Sequence, residues 1–313
     1  MTRSGPGTIA FLGFGLIGGS IARALAALQD ESGRSGEPRV TAWSPGGRGP
    51  AAALRDGVIA VAAADPATAL AGAELVVIAA PPLATIELIG RLGSDLHQHL
   101  VPGAVVTDVA STKGAVMRAA AAARIDFVGG HPMAGRETAG YGSSSTGLFR
   151  DRPWVVVEPE AANDGSRGGA ATERAATERA TELVHWLAVA CGARPLAMDA
   201  TTHDAAAAAV SHLPLLVSAA LVEAVAGAGR SDWPLARSLA ASGWEGMTRL
   251  ARGDAAMGAG IAATNAPAIV AQLRAFREAI DAWIADLDVA EPEAGVLEAR
   301  LESVRATLPE PGR

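Results

Sequence analysis

Cysteine is almost absent from this chain of 313 residues: Cys191 stands alone, so no intrachain disulfide can form and a reducing, cytoplasmic compartment is expected. Aromatic residues make up only 4% of the sequence. The core must therefore be assembled from Ala, Val, Leu and Ile, with helices that approach one another closely. Basic residues do not dominate either. Twenty-six Lys and Arg against 33 Asp and Glu leave a net charge of -7, which argues against a nucleic-acid surface built from clustered cations. Near the start, only four or five apolar residues precede Gly13, too few for a signal-peptide core or a membrane span. No grouping of Cys and His has zinc-like spacing, and no metal is expected. These absences leave a protein that acts on a small molecule.

At this length the chain divides into two domains, since single cores usually split beyond roughly 250 to 300 residues. The first, residues 1–198, reads as a Rossmann-like α/β domain with a mostly parallel sheet. Strands are expected at Thr8 to Leu12, Arg39 to Trp43, Leu75 to Ala80, Val105 to Asp108, Phe127 to Gly129 and Trp154 to Val157, with a crossover helix at Leu16 to Leu28. Gln29 to Pro38 reads as a polar connection. Glu160 to Thr181 carries Asn163-Asp164-Gly165-Ser166 and a near-duplicated Ala-Thr-Glu-Arg; its first half reads as a mobile loop and Thr172 to Ala190 as a helix covering the sheet. The second domain, residues 199–313, reads as all-helical, with helices at Thr201 to Ala226, Trp233 to Arg252 and Ala266 to Leu287. These helices are too apolar to stand alone, and burial against a partner subunit is expected.

Four motifs carry chemistry. Gly13-Phe14-Gly15-Leu16-Ile17-Gly18-Gly19 follows a strand and opens a helix, the context a dinucleotide loop requires. Gly13 permits the tight turn, Gly15 lets amides reach a pyrophosphate, and Gly18 allows close packing, with Leu16 and Ile17 completing the loop. At the end of the second strand an acidic residue would bond the ribose of NAD, but the chain reads Trp43-Ser44-Pro45-Gly46-Gly47-Arg48. Ser44 and Arg48 suit a 2′-phosphate, so NADP is expected, with NAD as the lesser possibility. Gly129-Gly130-His131-Pro132 places a histidine just past a strand, on the rim where a nicotinamide would lie. Asp108 to Gly114 brings Ser111 and Lys113 to the same rim, either as functional groups or as capping and solvent-facing residues.

Three further residues invite more than one reading. His203 and His212, nine residues apart on one helix, would point to roughly opposite faces at about 100° per residue and so not share a ligand. His203 reads as a core histidine bonded to backbone. Arg249, in an apolar helical setting, is either solvated or clamps a substrate anion.

Taken together, the motifs resemble the prephenate and arogenate dehydrogenase family of tyrosine biosynthesis. The resemblance rests on the Gly-rich loop ending in Leu16-Ile17-Gly18-Gly19-Ser20, the Asp108 to Gly114 segment, and Gly130-His131-Pro132-Met133-Ala134-Gly135 with Glu137 and Gly140. Gly147-Leu148-Phe149, His203-Asp204, Ser211-His212-Leu213-Pro214 and Thr248-Arg249 come next in family order, and the run from Ser211 to Leu221 is most similar to the NADP-using arogenate branch. The resemblance implies an oxidative decarboxylation in which His131 accepts the substrate's hydroxyl proton, Ser111 bonds that hydroxyl and holds the imidazole, and Arg249 grips a carboxylate. It adds Lys113, Glu137 and His212 to the substrate-binding set and makes the helical domain a homodimerisation domain. Departures fall at Leu215, Gly246 and Gly258, where many members carry a histidine, an acidic residue and a tryptophan. The competing expectations are a β-hydroxyacid or imine-type NADP reductase and a non-catalytic NADP-sensing protein.

Overall fold

Every residue of Leu75–Ile78 is buried, as expected of a β-branched and leucine-rich run covered by helices on both faces of a parallel sheet. The computed structural model describes residues 5–32, 38–158 and 170–308. Its strands are β1 (Thr8–Leu12), β2 (Arg39–Trp43), β3 (Val61–Ala62), β4 (Leu75–Ile78), β5 (Val105–Asp108), β6 (Phe127–Pro132), β7 (Pro153–Val157) and β8 (Arg194–Ala197). They form one eight-stranded sheet in the order β3-β2-β1-β4-β5-β6-β7-β8. All neighbours are parallel except β6 and β7, where Gly129 to Pro132 run antiparallel to Val157 to Trp154. Alternation along β1 sends Ile9 and Phe11 to one core and Ala10 and Leu12 to the other, so both faces of the sheet are sealed.

Helices α1 (Leu16–Ser32), α2 (Arg48–Arg55), α3 (Pro66–Leu70), α4 (Pro82–Leu92), α5 (Gly114–Ala123) and α6 (Ala170–Ala190) accompany the sheet. After β8 the described chain is helical: α7 (Ala200–Ala207), a π-helical turn at Ala208–His212, α8 (Leu213–Ala226), α9 (Trp233–Ser238), α10 (Ser242–Thr248), α11 (Ala255–Thr264), α12 (Ala266–Leu287) and α13 (Ala294–Thr307). The continuous helical stretch Ala200–Ala226 is, at 27 residues, long and apolar enough to cross a membrane by length and composition alone. Its His203, Asp204 and His212 are instead buried against other parts of the protein.

Several boundaries differ from the sequence reading, each for an identifiable reason. β6 does not stop at Gly129 but continues through His131 and Pro132, because β7 offers these residues an antiparallel partner. β8 carries Pro195 and is largely exposed, so it shows neither an apolar run nor alternation. The single helix expected over Trp233 to Arg252 breaks at the extended Ala241 into α9 and α10, followed by a 3-10 turn at Leu250–Arg252. α11 begins where the Asp254 side chain accepts from the Met257 amide at 2.8 Å, a cap that the composition-based reading passed over, and α13 is present where only a tail was expected. The loop expected in the first half of residues 160–181 lies mainly outside the described residues, as do residues 33–37 of the connection before β2.

The turn from β1 into α1 depends on Gly13, whose φ is +89° and whose amide donates to the Trp43 carbonyl at 2.8 Å. A Cβ there would lie 2.4 Å from the Ala79 oxygen, whereas one at Gly15 would meet nothing within 4 Å. Gly13→Ala is expected to cost about 1–3 kcal/mol or more, since strain and overlap combine, and to lower the thermal midpoint by several degrees. Gly15→Ala should leave the midpoint within about 2 °C, and differential scanning calorimetry of the two variants checks the contrast.

Candidate functional site

The Gly-rich loop sits at the carboxyl end of β1, in the crevice position where open parallel sheets bind ligands. Leu16 and Ile17 open α1, and Gly18 packs close enough that an added Cβ would be 3.1 Å from that of Ala79. The space in front of Gly15 is open, so a pyrophosphate could approach the loop amides and the positive end of α1. These features fit a dinucleotide. Ser44 is half-buried just after β2, and Arg48 begins α2 with its side chain exposed and unpaired among the described residues. No acidic residue occupies the end of β2, from Trp43 to Arg48.

Behind the loop, the carboxyl ends of β5 and β6 hold a buried polar cluster. Asp108 ends β5; its carboxylate accepts from the Ala110 amide at 2.9 Å and the Gly130 amide at 3.1 Å, and pairs with the Lys113 ammonium. Gly130 is required for that approach, since a Cβ there would lie 2.5 Å from the Asp108 carbonyl oxygen. Lys113, the only lysine in the sequence, is fully buried. Burial lowers its pKa, opposed by Asp108 and Asp204. Its ammonium therefore faces Asp108, not an open rim, which corrects the expectation that it meets substrate in this arrangement.

His131 lies within β6 instead of just past it, and is buried. Its Nδ1 is 2.8 Å from Nε2 of His203, whose Nδ1 is 2.8 Å from Oδ1 of Asp204. Asp204 in turn accepts from the Lys113 amide at 2.7 Å and the Gly114 amide at 2.8 Å, capping α5 from the other domain. Burial, reinforced by His203, Lys113 and His212, holds the His131 pKa well below 6.5, which keeps the imidazole neutral at neutral pH. Burial raises the Asp204 pKa, but the His203 bond and the two amides outweigh it and hold the carboxyl below its usual range. His203 is thus bonded to side chains, not to backbone as expected. Ser111, half-buried between β5 and α5, makes no side-chain hydrogen bond among the described residues, so the group holding the imidazole is His203.

His212 also faces this region, contrary to the opposite-face expectation. The π-helical turn at Ala208–His212 takes up about one extra residue, which retards the rotation by roughly 100° and brings both histidines toward one side. Asn265 donates through Nδ2 to the Asp204 carbonyl at 2.8 Å and to His212 Nδ1 at 3.2 Å. The proton of neutral His212 is then on Nε2, which is buried and makes no well-aligned hydrogen bond among the described residues, while the Ser111 backbone interacts with the ring and opposes the effect of burial on its pKa. Burial lowers its pKa, so neutral imidazole is favoured.

Glu137, in the segment after β6, forms an ion pair with Arg249 at the end of α10. That segment is anchored on the Gly-rich loop, where Tyr141 stacks on Phe14 with centroids 5.7 Å apart and the Ser20 hydroxyl accepts from the Ser145 amide at 3.1 Å. Arg249 also borders an open hollow of about 490 Å³ with Ser242, Glu245, Gly246 and Arg252, which does not include His131. Guanidinium and imidazole are linked by the chain segment from His131 to Glu137. Sequence reasoning missed Asp204 and Asn265 as site residues and misplaced His203. The adjacent His203-Asp204 pair just inside a helix start was the available signal.

Known proteins resemble this chain in both its sheet and its helical region. Residues 36–167 match the family model for the prephenate dehydrogenase nucleotide-binding domain, and residues 199–294 that for the prephenate dehydrogenase dimerization domain. Prephenate dehydrogenase of Bacillus subtilis is 30% identical over 284 residues, covering 90% of this chain and 68% of the relative. The crystal structure of Synechocystis arogenate dehydrogenase is 28% identical, covers 96% of this chain and 99% of that one, and superposes with a TM-score of 0.66. A candidate prephenate dehydrogenase from Corynebacterium glutamicum is also 28% identical, covering 96% and 88%, with a TM-score of 0.78. A nucleotide-binding loop, a buried histidine cluster and matches across both domains lead to one conclusion: the chain belongs to the prephenate dehydrogenase family of NAD(P)-dependent dehydrogenases.

Proposed function

We propose that this protein oxidatively decarboxylates a cyclohexadienyl substrate, arogenate in preference to prephenate, with NADP as hydride acceptor, yielding tyrosine or 4-hydroxyphenylpyruvate. The observation that carries the reading is a buried neutral imidazole, His131, at the carboxyl end of β6, in a sheet whose β1 end carries a dinucleotide loop. The bound nicotinamide supplies a two-electron acceptor for hydride. The hydroxyl-bearing ring carbon loses hydride, the ring carboxylate leaves as carbon dioxide, and its bonding pair rearomatises the ring. His131 takes the hydroxyl proton as the oxygen becomes carbonyl-like and returns it when the phenol forms. Ser111, which follows β5 and leaves its hydroxyl without a hydrogen bond among the described residues, is assigned to bond that hydroxyl.

Arg249 supplies a bidentate cation for a substrate carboxylate, with Glu137 orienting it until substrate competes for the guanidinium. His212, buried beside the cluster, is a further candidate donor to the substrate. Leu215, an apolar residue where many prephenate-type members carry histidine, supports arogenate. Arg48 and Ser44 support NADP, because an exposed guanidinium at the start of α2 and a hydroxyl suit a 2′-phosphate better than a ribose diol. The protein is further proposed to be a homodimer through its helical domain: Phe276, Ile280, Ile284 and Leu287 of α12 and Leu301 and Val304 of α13 are exposed.

Incubation with NADP and each cyclohexadiene, followed by reduced-cofactor absorbance, tests the activity; no turnover of either substrate would remove the reading. His131→Asn should depress kcat by at least about 100-fold with KM kept within a few-fold. Arg249→Ala removes a charged hydrogen bond worth about 1.5–3 kcal/mol and should raise KM tens- to hundreds-fold. Arg48→Ala should lower kcat/KM for NADP by at least about tenfold while NAD changes less than threefold. A wild-type preference for NAD would count against the 2′-phosphate assignment.

A further inference from the structure

The buried chain Asp204–His203–His131 joins the two domains, and with both imidazoles neutral its hydrogen-bond polarity has one consistent assignment. Ionised Asp204 can only accept, so His203 Nδ1 carries the proton of their 2.8 Å bond. Neutral His203 then has a bare Nε2, which can only accept from His131 Nδ1 at 2.8 Å. The remaining nitrogen of His131, Nε2, is left unprotonated. Resting on the dehydrogenase reading above, we infer that His203, held by Asp204, is the positioning residue that presents His131 Nε2 as the proton acceptor and takes over the charge His131 receives.

The transfer balances. As the substrate's O–H bond breaks, its electron pair stays on oxygen and an N–H bond forms at His131 Nε2; the His131 Nδ1–H bond breaks and an N–H bond forms at His203 Nε2. The positive charge comes to rest on His203, beside a carboxylate that stays ionised, and the same path reversed returns the proton to the phenol oxygen. The surroundings favour this location. His131 is faced by Lys113, by His212 and by His203 itself, while Asp108 is occupied by Lys113 and the Gly130 amide. Asp204 contacts His203 directly and is the anion best placed to hold the charge. A proton added to the pair either occupies His131 Nε2 or reverses the polarity of the chain, and both outcomes remove the acceptor.

His203→Gln tests the inference, because an amide oxygen can still accept from His131 Nδ1 but the side chain cannot take a proton. We expect kcat to fall at least tenfold, KM to stay within about twofold, and the acid limb of kcat/KM to shift, since a protonation site coupled to His131 has been removed. A purely structural role would lower the thermal midpoint without moving that limb. A variant with wild-type kcat and an unmoved limb overturns the inference. A second measurement needs no turnover and no folded variant at position 203: long-range 15N–1H correlation on histidine-labelled wild type, with His131 assigned by its loss in His131→Asn. The Nδ1–H tautomer is expected; Nε2–H overturns the inference even if the dehydrogenase activity stands, and failed turnover with the expected tautomer separates the two readings.

Discussion

One carboxylate, that of Asp204, joins the two halves of this molecule. It receives the amides of Lys113 and Gly114 at the start of α5, where the helix dipole favours an anion, and it also holds His203. The same side chain therefore caps a helix of the nucleotide-binding domain and orients a histidine of the helical domain. Asn265 fastens the arrangement from behind by bonding the Asp204 carbonyl, and Thr112 and Thr264 meet across the same boundary at 2.8 Å. Displacement of the helical domain would break the bonds of Asp204 to the α5 amides, the His131–His203 bond and the Thr112–Thr264 bond together, leaving buried polar groups unsatisfied.

The electrostatics of the cluster arise from its dryness. Lys113 and Asp108 are fully buried, and their pairing offsets part of the desolvation that burial imposes on the ammonium. The ammonium lowers the proton affinity of His131 without meeting it in a hydrogen bond. In the proposed mechanism, a base that must be neutral before reaction sits near one cation, while the carboxylate able to stabilise its charge lies one imidazole away. Separating the two functions lets the site keep a neutral base and still accommodate a proton.

Much of the sheet was legible because its signal is local. β1, β2 and β5 appear at their expected limits, since apolar residues bounded by turn formers can only be buried in that environment. The Gly-rich loop was equally plain. β8 and α11 were not, because an exposed edge strand with a proline and a short alanine-rich helix lack a distinctive period. Within the candidate site, His131 and Arg249 could be singled out by residue type and setting. Lys113 could not be judged inward-facing from sequence, because that orientation depends on Asp108 and on glycines in a neighbouring strand.

Residue order alone determined the alternation of β1, the glycine-dependent entry to α1, the lack of an acid after β2, and the presence of a histidine at β6. Each is settled within a few residues by backbone sterics or side-chain period. The tertiary structure decided which groups meet that histidine. A helix of uniform pitch would have turned His203 and His212 apart; the wider turn at Ala208–His212 draws them together, and packing against α5 and Asn265 holds them there. Helical phase accumulates along the chain, so one locally wider turn, stabilised by distant contacts, re-aims every side chain on its C-terminal side.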